Sequence, residues 1–506
     1  MPRRRSRSPT RCWELVASPA GWRLGAAVAD GTLFGRVDRP RRIVLFAGIG
    51  GSCIGIKAAT GQSPDVAINH WEYAIRTHQE NHPDTFHFLE DVWNVEPWEA
   101  SRGVAVDTLW LSPDCTHHSN AAGRVPLDSG RRALPWVGVK WAREVKPRII
   151  FMENVEEIQS WGPLYPDDYP VVALRGRPIP ERKGEIWREW LCALEAEGYV
   201  VEWRILAACD YGVPTTRERL YLIARRDGLP IRWPEPTHGP GKIPHRWAAD
   251  CIDWSDPAPS IFGRKRDLRP KTQERIAKGL HRYVLQGKPY IVPGVVPTGP
   301  DRREQVAAWF TQFYGRSIGS RIDQPGPTIT AGVPHTGLTV AWLAKHYGGV
   351  VGHGVDRPLG TITTVDHHSL CAASLLCLTH GQRIEPIDEP GRTITTARGG
   401  ERALQVAMLT KYYGDGGTSQ AIDRPGDVIT TKARFGLVTV DIEGATYVVT
   451  DIGLRMLRPR ELVRMQGFPD SYRLSGSVKD QIEGIGNSVC PPVAEALVRA
   501  NMGGAL

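Results

Sequence analysis

The stretch RRIVLFAGIGGSCIG, residues 41–55, decides the fold. Its first seven residues make a short apolar run suited to a buried strand. Glycines then turn the chain, and a helical pattern can start at Ser52 and run to Thr60. Further strands are predicted at Asp65–Asn69, Asp107–Ser112, Arg148–Met152 and Arg219–Arg225. Helical patterns lie between them at Trp71–Asn81, Trp136–Val145 and Glu185–Glu197. Alternation of this kind implies an α/β fold, a mainly parallel Rossmann-like sheet with helices on both faces. In such sheets ligands bind at loops beyond the carboxyl ends of the strands.

At 506 residues the chain is too long for one compact core. Four segments are expected: a basic arm at 1–40, an α/β domain at 41–235, a β-rich domain at 236–450, and a return to the first domain at 451–506. The arm begins MPRRRSRSPTR and lacks the apolar core of a secretory signal. A net charge of +8 suits a polyanionic partner. No run of 18 apolar residues occurs, so no membrane span is expected. The nine cysteines are scattered and form no CxxC pair, which argues against a disulfide framework or a Cys-rich zinc module and fits a reducing cytoplasm. No resident metal is expected.

Beyond residue 235 helical periodicity fades and an internal repeat emerges. IDQPGPTITA at Ile322 recurs as VDRPLGTITT at Val355, IDEPGRTITT at Ile387 and IDRPGDVITT at Ile422, with a fainter copy at Ile252. FYG, HYG and YYG precede three copies, at Phe313, His346 and Tyr412. Each unit reads as a turn leading into a β-branched strand. From about 451 helical texture returns, with helices expected at Pro459–Met465 and Pro491–Ala500.

Five constellations carry chemistry. FAGIGGSCIG, Phe46–Gly55, lets backbone approach a ligand at a helix N-terminus, or is only a tight turn. LSPDCTHHS, residues 111–119, puts Cys115 beyond a strand end. Cys115 is there a nucleophile, a metal ligand with His117 and His118, or a small structural residue. IIFMENVEE sets Glu153 at the mouth of a buried strand, where a desolvated acid suits proton donation. In YGVPTTRERLYLIA, Arg217 and Arg219 share one face, as base-binding guanidiniums or as surface residues. GNSVCPP, from Gly486, is a second close-approach loop or a plain helix start.

Taken in order, these motifs resemble those of the DNA (cytosine-5)-methyltransferase family, over Arg41–Arg225 and Asp451–Leu506. The resemblance implies a methyltransferase acting on carbon 5 of cytosine in double-stranded DNA, with S-adenosyl-L-methionine as donor. It implies a flipped-out base and Cys115 as nucleophile. Glu153 becomes the acid at the ring, Arg219 the group on the base carbonyl, and Arg217 its support. Phe46, Gly48, Gly50, Gly51, His70, Trp71, Asp91, Val92, Pro113, Asn487, Ser488 and Val489 line the cofactor site. Ser119 is expected to contact DNA, and Ala122–Pro135 to form a mobile lid with Arg124, Arg131 and Arg132 near phosphates. Arg398, Lys432 and Arg434, with His367 and His368, lie where the family carries its target-recognition domain, as DNA contacts or as solvated repeat loops. A cytoplasmic monomer acting beside a cognate restriction endonuclease is the expected setting.

Five positions depart from the family pattern: Asp114 for a proline, Thr116 for a glutamine, His70 for an acid, Thr215 for a glutamine and Arg458 for a threonine. A carboxylate beside a thiol disfavours the thiolate unless it points away or meets a cation. The departures leave open an inactive DNA-binding homologue, an RNA substrate, or a modified one-carbon donor.

Overall fold

The computed structural model describes residues 39–113, 132–293 except 263, 305–313, 317–331, 336–346 and 445–502, with short strands between 374 and 442. The expected basic arm lies outside the described residues up to position 38. From Arg41 onward the chain forms one compact unit.

Its first half builds β1 (Arg41–Leu45), α1 (Gly51–Thr60), β2 (Val66–Asn69), α2 (Glu72–Asn81), β3 (Phe86–Leu89), α3 (Pro97–Ser101) and β4 (Val106–Leu111). There follow α4 (Trp136–Glu144), β5 (Ile149–Asn154), α5 (Glu185–Ala196), β6 (Val200–Ala207) and β7 (Glu218–Arg225). The seven strands form one sheet in the order β3-β2-β1-β4-β5-β7-β6. β1 to β5 are parallel, and β7 runs antiparallel between β5 and β6. Strand order reverses between β1 and β4, which opens the crevice where such sheets take ligands.

Both faces are covered, as the continuous apolar strands require. Ile43, Leu45, Leu109, Leu111, Ile150 and Met152 join Trp141, Trp187 and Trp190 under α4 and α5. Their neighbours Val44, Trp110, Ile149 and Phe151 face the other way, against α1 and the last helix. The alternation follows from the period of two along a strand.

The second half adds α6 (Pro270–Leu280), β8 (Tyr290–Ile291), β9 (Gln305–Gln312) and β10 (Thr336–His346). Two three-stranded sheets follow: β11 (Ser374–Cys377), β12 (Arg383–Pro386) and β13 (Arg402–Gln405), then β14 (Leu409–Lys411), β15 (Ser419–Gln420) and β16 (Phe435–Leu437). With β17 (Thr439–Ile442) and β18 (Ala445–Met456), a five-stranded antiparallel sheet is completed in the order β17-β18-β10-β9-β8. The chain ends in α7 (Pro459–Met465), α8 (Val478–Gly486) and α9 (Pro491–Met502). α9 returns to α1 across Gly55, where an added Cβ would lie 2.6 Å from the Pro491 carbonyl and from the Ala494 Cβ. No described helix is long and apolar enough to cross a membrane.

Several expectations change. β3, β6 and α8 were not anticipated; β6 escapes a periodicity reading because it is an edge strand with Val200, Trp203 and Ile205 exposed. α6 stands in a region read as lacking helix, and its Gly279 lets it close on Trp309 of β9. The repeat at Ile322 is not a turn followed by a strand. Residues 321–331 are irregular, with one bridge between Gly326 and Thr215. Long-range bonds outweigh the β propensity of Thr328–Thr330. The three later copies lie outside the described residues.

One buried cluster backs the first glycine turn. His78 on α2 shares a 2.7 Å Nδ1–Nε2 hydrogen bond with His87 of β3, and its Nε2 meets the Cys53 thiol at 3.1 Å. His82 lies beneath Gly50, 3.0 Å from where a Cβ would stand, and its ring nitrogens meet no hydrogen-bond partner among the described residues. Burial pulls His82 and His87 down to about 4 and His78 well below its ordinary range. These imidazoles stay neutral when folded, whereas the unfolded chain takes up protons below about pH 6.5. Stability is therefore full above pH 6.5 and falls as the pH drops towards 4. Urea unfolding at pH 7 and pH 5 should give stabilities that differ by a few kcal/mol, since each tenfold change in proton affinity corresponds to about 1.4 kcal/mol. The His87→Gln variant should show a smaller difference, and equal wild-type stabilities would contradict the assignment.

Candidate active site

The carboxyl edge of the parallel strands gathers the functional side chains. Beyond β1, Phe46, Gly48 and Gly50 all take positive φ, at 56°, 52° and 94°. Phe46 holds that conformation without the freedom of glycine, so the turn is fixed by its surroundings. Gly50 caps α1 with no side-chain hydrogen bond, which leaves the helix N-terminus for another acceptor. Gly51 has no room for a side chain: a Cβ would lie 2.1 Å from the Val489 carbonyl oxygen and 2.4 Å from Ser488 Oγ. The loop after α8 is thus wedged against the loop after β1. Gln466 Nε2 donates to the Ser488 carbonyl at 2.8 Å, and the Tyr472 hydroxyl donates to the Ile49 carbonyl.

The next two strand ends complete one side of this crevice. After β2, the Trp71 amide donates to Asn69 Oδ1 at 2.9 Å, and its half-buried ring lies 4.9 Å from Tyr73. After β3, Asp91 is exposed and accepts the Trp93 amide, while Val92 is buried. His70 and Asn487 are exposed. An uncapped helix terminus, an aromatic face and an exposed carboxylate fit the amino-acid, adenine and ribose parts of a nucleoside-linked cosubstrate.

On the other side of the crevice lie β4, β5 and β7. Pro113 is buried and its carbonyl accepts Asn154 Nδ2 at 3.2 Å. Glu153, near the end of β5, is 6% exposed. It sits opposite Tyr221 in the β5–β7 ladder. Because β7 is antiparallel, its first residues reach the same edge. Arg219 Nε stands 3.3 Å and Arg217 Nη2 3.6 Å from Glu153 Oε1. These are ion-pair distances, but the groups are not aligned as hydrogen bonds. Glu153 Oε1 and Arg217 Nε therefore lack hydrogen-bond partners among the described residues. Buried polar groups in that condition call for an explanation, and a bound ligand is a common one.

Arg217 is held from behind. Its Nη1 donates to the Gly486 carbonyl at 3.0 Å and to the Ile329 carbonyl at 3.3 Å. Sequence reading gave the pair of arginines but neither acceptor, because carbonyls carry no sequence signature. It also passed over Cys490, buried below the pair. Burial pushes that thiol up to about 11 although both guanidiniums pull the other way.

Cys115, Ser119, Arg124 and Arg131, with Asp114 and Thr116, lie outside the described residues, as do Arg398, Lys432, Arg434, His367 and His368. Arg132, expected on a mobile lid, is buried at 4% exposure, and desolvation draws its guanidinium down to about 10.

A sequence model described as C-5 cytosine-specific DNA methylase matches residues 41–162, 178–264 and 383–502, more than half of the chain. The chain belongs to the C-5 cytosine-specific DNA methylases. Among its relatives, the type II methyltransferase M.AquIA of Picosynechococcus is 30% identical over 203 residues, 39% of this chain and 77% of that one. M.AgeI of Thalassovita gelatinovora is 29% identical over 40% of this chain and 43% of its own length. M.NlaIV of Neisseria lactamica is 24% identical over 84% and 88%. A solved structure of a Spodoptera frugiperda DNMT2 mutant aligns over 91% of this chain and 99% of that one, at 15% identity and a TM-score of 0.45.

In this methylase, Arg217 should be indispensable to the fold as well as to the site. Removing it leaves the Gly486 and Ile329 carbonyls without their donor and Glu153 with Arg219 beside it, a loss of roughly 1–3 kcal/mol for each buried group left unmatched. Arg217→Ala should lower the urea midpoint accordingly. Arg217→Lys should recover only part, because a single ammonium cannot span both carbonyls and the carboxylate. An unchanged midpoint in Arg217→Ala would refute this.

Proposed function

We propose that the chain transfers a methyl group from S-adenosyl-L-methionine to carbon 5 of cytosine in double-stranded DNA, through a covalent bond to Cys115. The observation that supports this most directly is the buried Glu153 carboxylate flanked by Arg217 and Arg219, with unmatched polar atoms at the crevice. Two guanidiniums and an acid at one strand edge suit the carbonyl oxygen and N3 of a cytosine ring. The glycine loops beside them suit the donor.

Carbon 5 of cytosine is a poor nucleophile. The Cys115 thiolate adds to carbon 6, and the ring becomes an enamine whose carbon 5 carries the electron pair. Glu153, taking up a proton from solvent as the base docks, donates it to N3 as charge accumulates there and recovers it when the thiolate leaves, while Arg219 donates to the carbonyl oxygen. Held at the glycine loops, the donor would offer a sulfonium methyl for carbon 5 to attack, the new carbon–carbon bond replacing the carbon–sulfur bond and a thioether being the leaving group. A base then takes the carbon-5 proton, the ring double bond re-forms, and the Cys115 thiolate is expelled. None of these atoms is reachable in a stacked base, so the nucleotide must leave the duplex. The uncapped α1 terminus and Asp91 would hold the donor's carboxylate and its sugar or adenine, with Trp71 against the ring.

In this reading residues 41–235 and 451–506 form the catalytic domain, and 236–450 the target-recognition domain. The protein acts as a cytoplasmic monomer beside a cognate restriction endonuclease.

Duplex DNA carrying 5-fluorocytosine at its target should form an adduct with the protein that survives denaturation, mapped by mass spectrometry to Cys115. Fluorine cannot leave as a cation, so elimination stalls. Donor-dependent adduct in the wild type and none in Cys115→Ser is the expected result. Binding of the same DNA without adduct or label transfer would instead mark a DNA-binding homologue that does not turn over.

A further inference from the structure

We propose that Cys209, Asp210 and His245 form a binding site for one divalent transition-metal ion, zinc by preference, separate from the methylation chemistry. The first two residues sit on the short helical turn, Ala208–Tyr211, that follows β6. His245 arrives from a loop 35 positions beyond Asp210. Its Nε2 stands 3.1 Å from Asp210 Oδ1, and Cys209 Sγ lies 3.8 Å from the same oxygen. All three donor atoms lie within 4.8 Å of one another.

The spacing matches a tetrahedral ion. Zinc bonds of about 2.0–2.3 Å put neighbouring ligand atoms roughly 3.3–3.8 Å apart. The Asp210–His245 pair is slightly closer than that, the Cys209–Asp210 pair is at the limit and the third pair lies within 4.8 Å, so closing on an ion needs side-chain shifts of about an ångström. The donor types are right too: thiolate, imidazole and carboxylate together select zinc or its late first-row neighbours over magnesium or calcium. A thiolate and a carboxylate neutralise the 2+ charge, and imidazole adds none. Three protein ligands leave a fourth position for water.

The surroundings are built to hold the trio. Thr237 and His238 both donate backbone N–H groups to the Asp210 carbonyl, at 2.9 and 3.0 Å. Gly212, at φ 81°, turns the chain back after the two ligands, under the His238 ring. The Asp210 and His245 side chains remain 37% and 30% exposed, so an ion can enter from solvent. The trio escapes a sequence scan because it lacks the paired CxxC or HxxxH spacing of common zinc modules.

An ion here would staple two parts of the catalytic edge. The Cys209–Asp210 turn leads directly to Arg217 and Arg219. Just beyond His245, Ala248 and Ala249 donate backbone bonds to the Gln324 and Ile322 carbonyls. That segment continues to Ile329, whose carbonyl holds Arg217. The ion is therefore a structural clamp on the arginine shelf.

The test is a cobalt(II) titration of the full-length protein after chelator treatment. A thiolate-to-cobalt band should appear in the near ultraviolet, saturate at one equivalent and be displaced by zinc. Zinc should also raise the thermal midpoint. Cys209→Ser and His245→Ala should bind on the order of 100-fold more weakly, at least the loss known for a ligand's outer partner, while circular dichroism checks that each variant is folded. Cys115→Ser should bind as the wild type does. The proposal is overturned by a wild type without the band, by a band that persists in Cys209→Ser, or by a band lost in Cys115→Ser. The last result would move the metal to the catalytic loop beside His117 and His118.

Discussion

The guanidinium of Arg217 joins three parts of the chain that are far apart in sequence. It faces Glu153 at the end of β5, takes the Gly486 carbonyl from the end of α8, and takes the Ile329 carbonyl from the segment before β10. A parallel sheet delivers its strand ends to one edge but does not fix the loops above that edge. Arg217 does so because its five donors lie in a rigid fork and can serve several acceptors at once. Gly486 is itself packed so closely on Thr330 and Ala331 that a Cβ would lie 2.4 Å from the Ala331 nitrogen. The C-terminal segment, the Ile329 segment and the arginine shelf are therefore locked together.

The two edges of the sheet carry ion clusters of different kinds. At the amino edge, Arg148 donates to Asp107 at 2.6 Å and to Asp227 at 2.8 Å, and Arg225 grips Asp227 at 2.7 and 3.0 Å. Two arginines meet two carboxylates with aligned bonds, and Asp227 is held well below the usual carboxylate range. At the carboxyl edge Arg217 and Arg219 stand farther from Glu153 and without aligned bonds to it. Glu153 Oε1 and Arg217 Nε are left unmatched there among the described residues. A stability argument alone would favour the first arrangement at both edges, since an unmatched buried group costs about 1–3 kcal/mol. The mismatch is sensible under the proposed function, in which an incoming base would supply partners for both atoms.

The first domain was legible from sequence because local and global demands agree there. Apolar runs, glycine turns and helical periods all point to one sheet, and its inner strands lie close to where those patterns put them. Glu153, Arg217 and Arg219 were found together because each lies at a strand terminus, and β7 brings two of them to the edge by running backwards. The Ile322 repeat was misread for the opposite reason. Its Ile-Thr residues favour extended chain, yet Ile322 and Ile329 are buried and the backbone bonds go to Pro214, Thr216 and Ala248 instead of to a neighbouring strand. Tertiary bonding decided that segment, and a single sequence does not show which carbonyl will meet which amide.

The same limit explains the histidines behind Gly50. Nothing in the sequence pattern singles out His78, His82 or His87. The fold buries them against Cys53 and the glycine turn, in a space where no larger residue at position 50 could stand. Neutral imidazoles fill that space with rigid planar rings, and two of them keep hydrogen bonds within the cluster. The turn above is thereby fixed in its left-handed conformation, which presents the N-terminus of α1 to the crevice. An aliphatic side chain could fill the volume but could not bond Cys53 or its neighbours, and a lysine would carry its charge into it. The conformation of the loop is thus set by residues that never face the crevice, as the position of Arg217 is set by carbonyls that never touch a base.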